Sequence, residues 1–343
     1  MRRLKARLPL GPAVLDPGGA VLNDDDRRRM LHPAAGGVIL FTRNFESAPQ
    51  LQALTEEIHA LREPQLLIGV DHEGGRVQRF RESFTALPPM RALGGLWDRN
   101  REAGRAAARA AGYVIAAELA AHGLDFSFTP VLDLDYGTST VIGDRALHFD
   151  PIAVGALGAA LISGLADGGM AAVGKHFPGH GFVAADSHVA IPVDERTLAE
   201  IQRKDLAPYR PAIAAGLGGI MPAHVIYPRV DRQPAGYSRV WLKDILRDQL
   251  GFEGVVFSDD LSMVGAGSAG DQAARARAAL DAGCDMVLIC NDPEGADRLL
   301  SALENWAPPL PDRLERMRRR GGARDLRRSV AFREAQEALG VFA

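Results

Sequence analysis

Eight short runs rich in valine, isoleucine and leucine recur along this 343-residue chain, and longer segments at helical spacing separate most of them. The runs cover 13–15, 37–41, 66–70, 126–134, 170–173, 219–224, 255–257 and 286–289. Their length and bulk suit parallel strands, which are buried on both faces and so lack a polar alternation. Helices are predicted between them over 48–61, 104–121, 151–166, 197–215, 242–250 and 272–282. In the first of these, Leu51, Leu54, Ile58 and Leu61 follow the spacing of one buried helical face. Eight such units in roughly 280 residues match the single eight-fold β/α (TIM) barrel, an α/β fold that takes about 250 residues. A doubly wound open sheet is the rival, but it would gather ligand groups at one switch point. Here nearly every run ends in polar or charged residues. No domain-scale linker or repeat interrupts the pattern. The whole chain, 1–343, therefore reads as one catalytic barrel domain, with C-terminal helices from about 293 that include the charged stretch 312–339.

A formal net charge of −3 and 47% hydrophobic residues fit a globular chain with a large core. They provide no positive field of the kind that nucleic-acid and membrane-surface binders need, so neither partner is expected. The basic runs Arg27-Arg28-Arg29 and Arg318-Arg319-Arg320 are flanked by acidic residues or lie on predicted helices, and read as solvated faces. Cys284 and Cys290 flank one apolar run without a disulfide framework or metal spacing, which points to a reducing compartment. Behind the basic N-terminus, Pro9, Gly11, Pro12 and Asp16 break the apolar stretch, making a poor signal-peptide core. No apolar run reaches the roughly eighteen residues of a membrane span. A soluble cytoplasmic protein is the expectation.

Chemistry gathers where the runs end. Residues 170–173 lead into Gly174-Lys175-His176-Phe177-Pro178-Gly179-His180-Gly181, with Asp186 and His188 just beyond. Strand C-terminal ends form the active face of a β/α barrel because the loops leaving them converge on one pocket. Glycine and proline punctuate this stretch too heavily for an immediate helix, so 182–193 is predicted as a long loop carrying Asp186 and His188 over the site. Charge also collects in Asp71-His72-Glu73-Gly74-Gly75-Arg76-Val77-Gln78-Arg79, at Asp133 and Asp135, at Arg145, and at Ser258-Asp259-Asp260.

Several chemistries compete for these residues. Residues 169–175 fit the first positions of a phosphate-binding P-loop, but His176 stands in place of the magnesium-binding Ser or Thr, and Pro178 prevents a helix from starting there. His176, His180, His188 and Asp186 could ligate zinc or manganese, although the His-x-x-x-His spacing needs a helix that Pro178 and two glycines oppose. Lys175 could form a Schiff base if burial lowered its pKa. The remaining reading is cleavage of an acetal. Asp259 attacks carbon as a carboxylate, and His188, oriented by Asp186, protonates the leaving oxygen. Residues i and i+2 of an extended loop point to the same side, so the Asp186 carboxylate can touch the His188 ring. Asp71, Arg79, Arg145, Lys175 and His176 then offer donors and acceptors to ring hydroxyls. For each arginine the competing role is a salt bridge closing the barrel rim.

Lys-His-Phe-Pro-Gly-His-Gly at 175–181, Asp-Ser-His at 186–188 and Phe-Ser-Asp-Asp-Leu-Ser-Met at 257–263 resemble the signatures of family 3 glycoside hydrolases. Within that family they look like the bacterial β-N-acetylhexosaminidases that act on N-acetylglucosamine in cell-wall recycling. Residues 71–79 are similar to the sugar-binding strand end of that group, and the resemblance runs from about 38 to 292. It implies a single barrel with Asp259 as nucleophile, His188 as acid/base and Asp186 as its partner. Asp71, Arg79, Arg145, Lys175 and His176 become the ligands of the terminal sugar, and Asp260 is expected to be structural. The implied reaction is retaining hydrolysis, by double displacement through a glycosyl-enzyme intermediate, of terminal β-linked N-acetylglucosamine. Its substrates would be small peptidoglycan-derived muropeptides, N-acetylglucosaminyl-anhydromuropeptides, or chitooligosaccharide-like glycosides, with no metal and no cofactor. Three positions depart from the pattern. His72 stands where glutamine is expected, and Asp144 and Ala146 flank Arg145 where glutamate and serine are commoner.

Overall fold

The structure, a computed structural model, describes residues 6–184, 191–306, 312–321 and 325–342. Its central sheet has eight parallel strands: β1 (Ala13–Leu15), β2 (Ala35–Leu40), β3 (Leu67–Val70), β4 (Phe126–Ser127), β5 (Ala171–Phe177), β6 (Gly219–Pro222), β7 (Val255–Val256) and β8 (Val287–Leu288). Their order is β7-β6-β5-β4-β3-β2-β1-β8, so sequence neighbours are spatial neighbours and no switch point interrupts the sheet. The two outer strands of that order are also linked. Phe257 and Met286 form a parallel bridge, and the Ser258 amide donates to the Met286 carbonyl at 2.8 Å. Phe126 and Phe257 come from strands three places apart, yet their rings lie 5.3 Å from each other, with Phe128 within 5.4 Å of both. The sheet therefore curls around a filled apolar interior.

Helices cover the outer face. The helix Arg101–Ala121 starts where the Asn100 side chain accepts the Glu102 and Ala103 amides, and it buries Ala107, Ala111, Val114, Ile115 and Leu119. Its neighbour Pro151–Asp167 starts at Asp150, whose carboxylate accepts the Ile152 amide, and proline occupies the first helical position, where no amide proton is needed. The two meet backbone to backbone. A Cβ placed on Gly112 would collide with the Leu161 carbonyl oxygen, and one on Gly164 with that of Arg109.

Some elements differ from the expectations above. β5 continues past 173 through Lys175 and His176, pairing Lys175 with Met221 and Phe177 with Pro222. The predicted strand 126–134 is short, and beyond Ser127 only Val131 pairs again, bridging Lys175 past Pro130, which has no amide proton to offer. The predicted helix 197–215 is two helices, Leu198–Arg203 and Tyr209–Ala214. Between them the buried Asp205 carboxylate accepts from Arg196 and Tyr136, and Pro208 precedes the second helix. The unpredicted helix Asp24–Met30 places Arg27 at 2.7 Å from Glu57 and Arg28 and Arg29 at 3.0 and 2.8 Å from Asp297, so that basic run is ion-paired. Near the C-terminus, the helix Val330–Leu339 packs on Arg101–Ala121. Both cysteines are buried and unbridged. Among the described residues, no helix is long and apolar enough to cross a membrane.

Replacing Gly112 with valine should force these two helices apart and lower stability by on the order of 3 kcal/mol, the upper end of what overpacking usually costs. Urea unfolding monitored by circular dichroism reads the change. A variant as stable as the parent would show that the helices do not touch there.

Candidate active site

A cavity of about 520 Å³ opens among the C-terminal ends of β2, β3, β5, β6, β7 and β8, within the range of roughly 300–1,000 Å³ typical of small-molecule sites. Its floor is a cluster of charges. The Lys175 ammonium, with a side chain only 3% exposed, lies 2.6 Å from Asp71 and 2.7 Å from Glu73. Arg145 donates to Glu73 twice, from Nε at 2.8 Å and from Nη2 at 2.7 Å. Arg79 completes the group at 3.7 Å from Asp71.

Local backbone explains how these groups meet. Asp71 directly follows β3, and Gly74 and Gly75, with φ of 105° and 53°, turn the chain into the small hairpin His72–Gly74 with Val77–Gln78. That reversal returns Arg79 to Asp71. Arg145 arrives from the turn Gly143–Arg145, and Lys175 from β5. Burial raises the proton affinity of Glu73, but the charges of Arg145 and Lys175 outweigh it and hold the carboxyl well below the usual range. Burial disfavours the Arg145 charge as well, and Glu73 more than offsets that.

A second carboxylate organises the histidines. Asp133, fully buried, accepts His176 Nδ1 at 2.6 Å and the His180 amide at 2.6 Å. Burial pushes the Asp133 carboxyl up, and the neighbouring His176 and His180 bring it below its ordinary value. At the end of β7 two aspartates adjoin. Asp260 is tied down by the Ser262 amide and hydroxyl at 2.9 and 2.7 Å and by the Cys290 amide at 3.0 Å, and burial pushes its pKa up to about 6. Asp259 accepts the Asp260 amide at 2.7 Å and opens onto the cavity. The buried His224 ring donates from Nε2 to the Asp260 carbonyl at 3.0 Å and steadies the same turn.

The glycosyl hydrolase family 3 N-terminal domain matches residues 14–319. The chain belongs to glycosyl hydrolase family 3. It is 64% identical over 311 residues to a beta-hexosaminidase of Thiobacillus denitrificans, covering 90% of this chain and 87% of that protein. A beta-hexosaminidase of Aromatoleum aromaticum is 58% identical over 339 residues, 96% and 94% of the two chains. NagZ of Neisseria gonorrhoeae, solved in complex with N-trifluoroacetyl-D-glucosamine, superposes with a TM-score of 0.90 at 48% identity over 98% of this chain and 99% of that one. The protein is a glycoside hydrolase.

In this family 3 hydrolase, Asp71, Arg79, Arg145, Lys175, His176 and Asp259 all line the one cavity. Asp186 and His188 lie outside the described residues. Lys175 is flanked by carboxylates, unlike the apolar or cationic surroundings that activate a Schiff-base lysine. Among the described residues no group of three or more His, Cys, Asp or Glu side chains is placed to hold a metal ion. Two residues that sequence reasoning left without a role are central: Glu73 and Asp133. The signal for Glu73 was its position two residues after Asp71, which puts both on one side of an extended chain.

His72 points the other way. Its ring is fully buried, within 5.8 Å of Phe80 and 5.7 Å of Phe84, and neither ring nitrogen has a hydrogen-bond partner. Burial, helped by Arg81 and Arg79, pushes its pKa down to about 3. Below about pH 6.5 the unfolded chain therefore binds a proton that the folded one refuses, so the stability this ring allows is complete above that pH and drains away as pH falls. His72→Gln should remove that acid limb. Between pH 7 and 5 the variant should gain about 2 kcal/mol relative to the parent in urea unfolding. A gap that stays constant with pH would show that His72 protonates freely in the fold.

Proposed function

We propose that this hydrolase is a β-N-acetylhexosaminidase that removes terminal β-linked N-acetylglucosamine from peptidoglycan-derived muropeptides with retention of configuration. The observation that carries the reading is the charge balance around Asp259. The cavity is lined by Asp71, Glu73, Asp259 and Asp260 and by Arg76, Arg79, Arg145 and Lys175. Charges paired in this way offer many directed hydrogen bonds but little net field, which suits a neutral polyol better than a phosphorylated ligand. The names of the relatives and the amino sugar bound by the gonococcal neighbour support the same choice.

In this reading Asp71, Arg79, Arg145, Lys175 and His176 hold the terminal sugar. Asp259 attacks the anomeric carbon, and His188, oriented by Asp186, gives its proton to the leaving oxygen. The glycosyl ester formed on Asp259 is then attacked by water, which loses a proton to the same imidazole, and the aspartate departs as a carboxylate. Asp260 braces the turn between β7 and β8. The reading also takes the sheet as a closed eight-stranded barrel, on the strength of the Phe257–Met286 bridge between its outer strands. It takes 1–343 as one catalytic domain working in the cytoplasm without metal or cofactor.

Nitrophenyl β-N-acetylglucosaminide should be hydrolysed at least about a hundredfold faster, in kcat/KM, than the β-glucoside, because a site that hydrogen-bonds a substrate amide rejects the analogue lacking it. Turnover should survive prolonged treatment with chelator. Loss of activity in chelator, or a preference for the glucoside, would contradict the assignment.

A further inference from the structure

Glu73 is 1% exposed and lies within the cavity, yet both of its oxygens already face protein cations. Oε1 accepts from Arg145 Nη2 and lies 2.7 Å from Lys175 Nζ, while Oε2 accepts from Arg145 Nε. We propose that Glu73 is a positioning residue, which aims the unused protons of Arg145 and Lys175 at the sugar without touching it. The proposal rests on the reading that these two cations bind the terminal sugar.

The donor count makes the argument. A guanidinium has five N–H groups, and Arg145 spends one each from Nε and Nη2 on Glu73 and one from Nη1 on the Val141 carbonyl at 3.1 Å. Two remain, and the planar fork fixes their directions. An ammonium has three protons, and Lys175 gives one to Asp71 at 2.6 Å while the Glu73 carboxylate 2.7 Å away holds the nitrogen from a second side. Held between the two carboxylates, the ammonium has little freedom to turn. Without Glu73, Lys175 could turn about its flexible stem and Arg145 could swing with its loop.

Glu73 is also the joint between elements that do not otherwise share a ladder. Arg145 sits on the turn Gly143–Arg145, Lys175 on β5 and Glu73 on the hairpin that follows β3. Arg76, from that hairpin, donates to the carbonyls of Thr140 and Val141 and docks the same loop from its outer side. The burial of Glu73 beneath its cations argues against direct sugar contact, and its depressed proton affinity keeps the carboxylate charged wherever the enzyme works.

The test combines Glu73→Gln, nearly isosteric but uncharged, with Arg145→Ala. Glu73→Gln should lower kcat/KM for the nitrophenyl β-N-acetylglucosaminide by about a hundredfold, in line with breaking a buried charge pair. The inhibition constant of free N-acetylglucosamine should rise by a comparable factor. In the Arg145→Ala background the same change should cost about tenfold or less, because only Lys175 is then left for Glu73 to aim. An unchanged inhibition constant, or equal losses in both backgrounds, would overturn the proposal.

If Glu73→Gln does not fold, Glu73→Asp keeps the charge on a stem one methylene shorter. A folded Glu73→Asp enzyme with at least about tenfold weaker sugar binding supports positioning by reach, and wild-type binding overturns it. Failure of both variants to fold assigns Glu73 to stability alone and also overturns it. A wild-type enzyme that neither cleaves nor binds the amino sugar would instead contradict the proposed function, before any variant is compared.

Discussion

The contact of the Lys175 ammonium with Asp71 and Glu73, at 2.6 and 2.7 Å, is the interaction on which the cavity depends. A nearly buried ammonium loses hydration worth several kcal/mol, which only well-placed opposite charges restore, and removing one partner of such a pair typically costs about 3–5 kcal/mol. The cluster is therefore stable only when complete. It also spans the sheet, because β4 lies between β3 and β5 in the strand order. β4 ends there in Ser127, a small, fully buried residue whose hydroxyl lies 3.2 Å from the Val70 and His72 carbonyls. Its hydroxyl also accepts the His72 amide at 3.1 Å, so it ties β4 to the start of the hairpin that carries Glu73.

The same device recurs around the strand ends. Asp133 collects the ring of His176 and the amide of His180, and Asp260 collects the amides of Ser262 and Cys290. Asp133 is buried and draws its donors from β5 and the residues just after it, while Asp260 is partly buried and joins its own turn to the segment after β8. Asp260 is held by three donors of the frame, and Asp259 beside it lines the same cavity. Preorganisation of this kind supplies directed dipoles without rearrangement when charge develops in a reaction.

How much of this the sequence shows depends on what each residue's role requires. Parallel strands buried on both faces appear as apolar runs with polar ends, so the placing of Asp71, Lys175, His176 and Asp259 around one cavity was legible before any coordinates. The true end of β5 was not, because Lys175 and His176 continue the ladder as polar residues that no apolar pattern includes. Glu73 and Asp133 were overlooked because a carboxylate that serves protein partners looks, in sequence, like one that serves a ligand, and only burial separates them. The break at 204–208 depends on Asp205 finding Arg196 and Tyr136, a tertiary contact that helical spacing does not encode. Asp186 and His188 rest on spacing and family resemblance, and lie outside the described residues.

The central claim is that the charge cluster presents an N-acetylglucosamine ring to Asp259 as a covalent nucleophile. The most direct measurement is mass spectrometry of the enzyme after incubation with a 5-fluoro-N-acetylglucosaminyl fluoride, whose ring fluorine slows breakdown of any glycosyl ester. The account predicts stoichiometric addition of the fluorinated sugar, mapped by peptide fragmentation to Asp259. An adduct on Asp260 or any other residue, or steady turnover of β-N-acetylglucosaminides with inversion and no adduct, would contradict it.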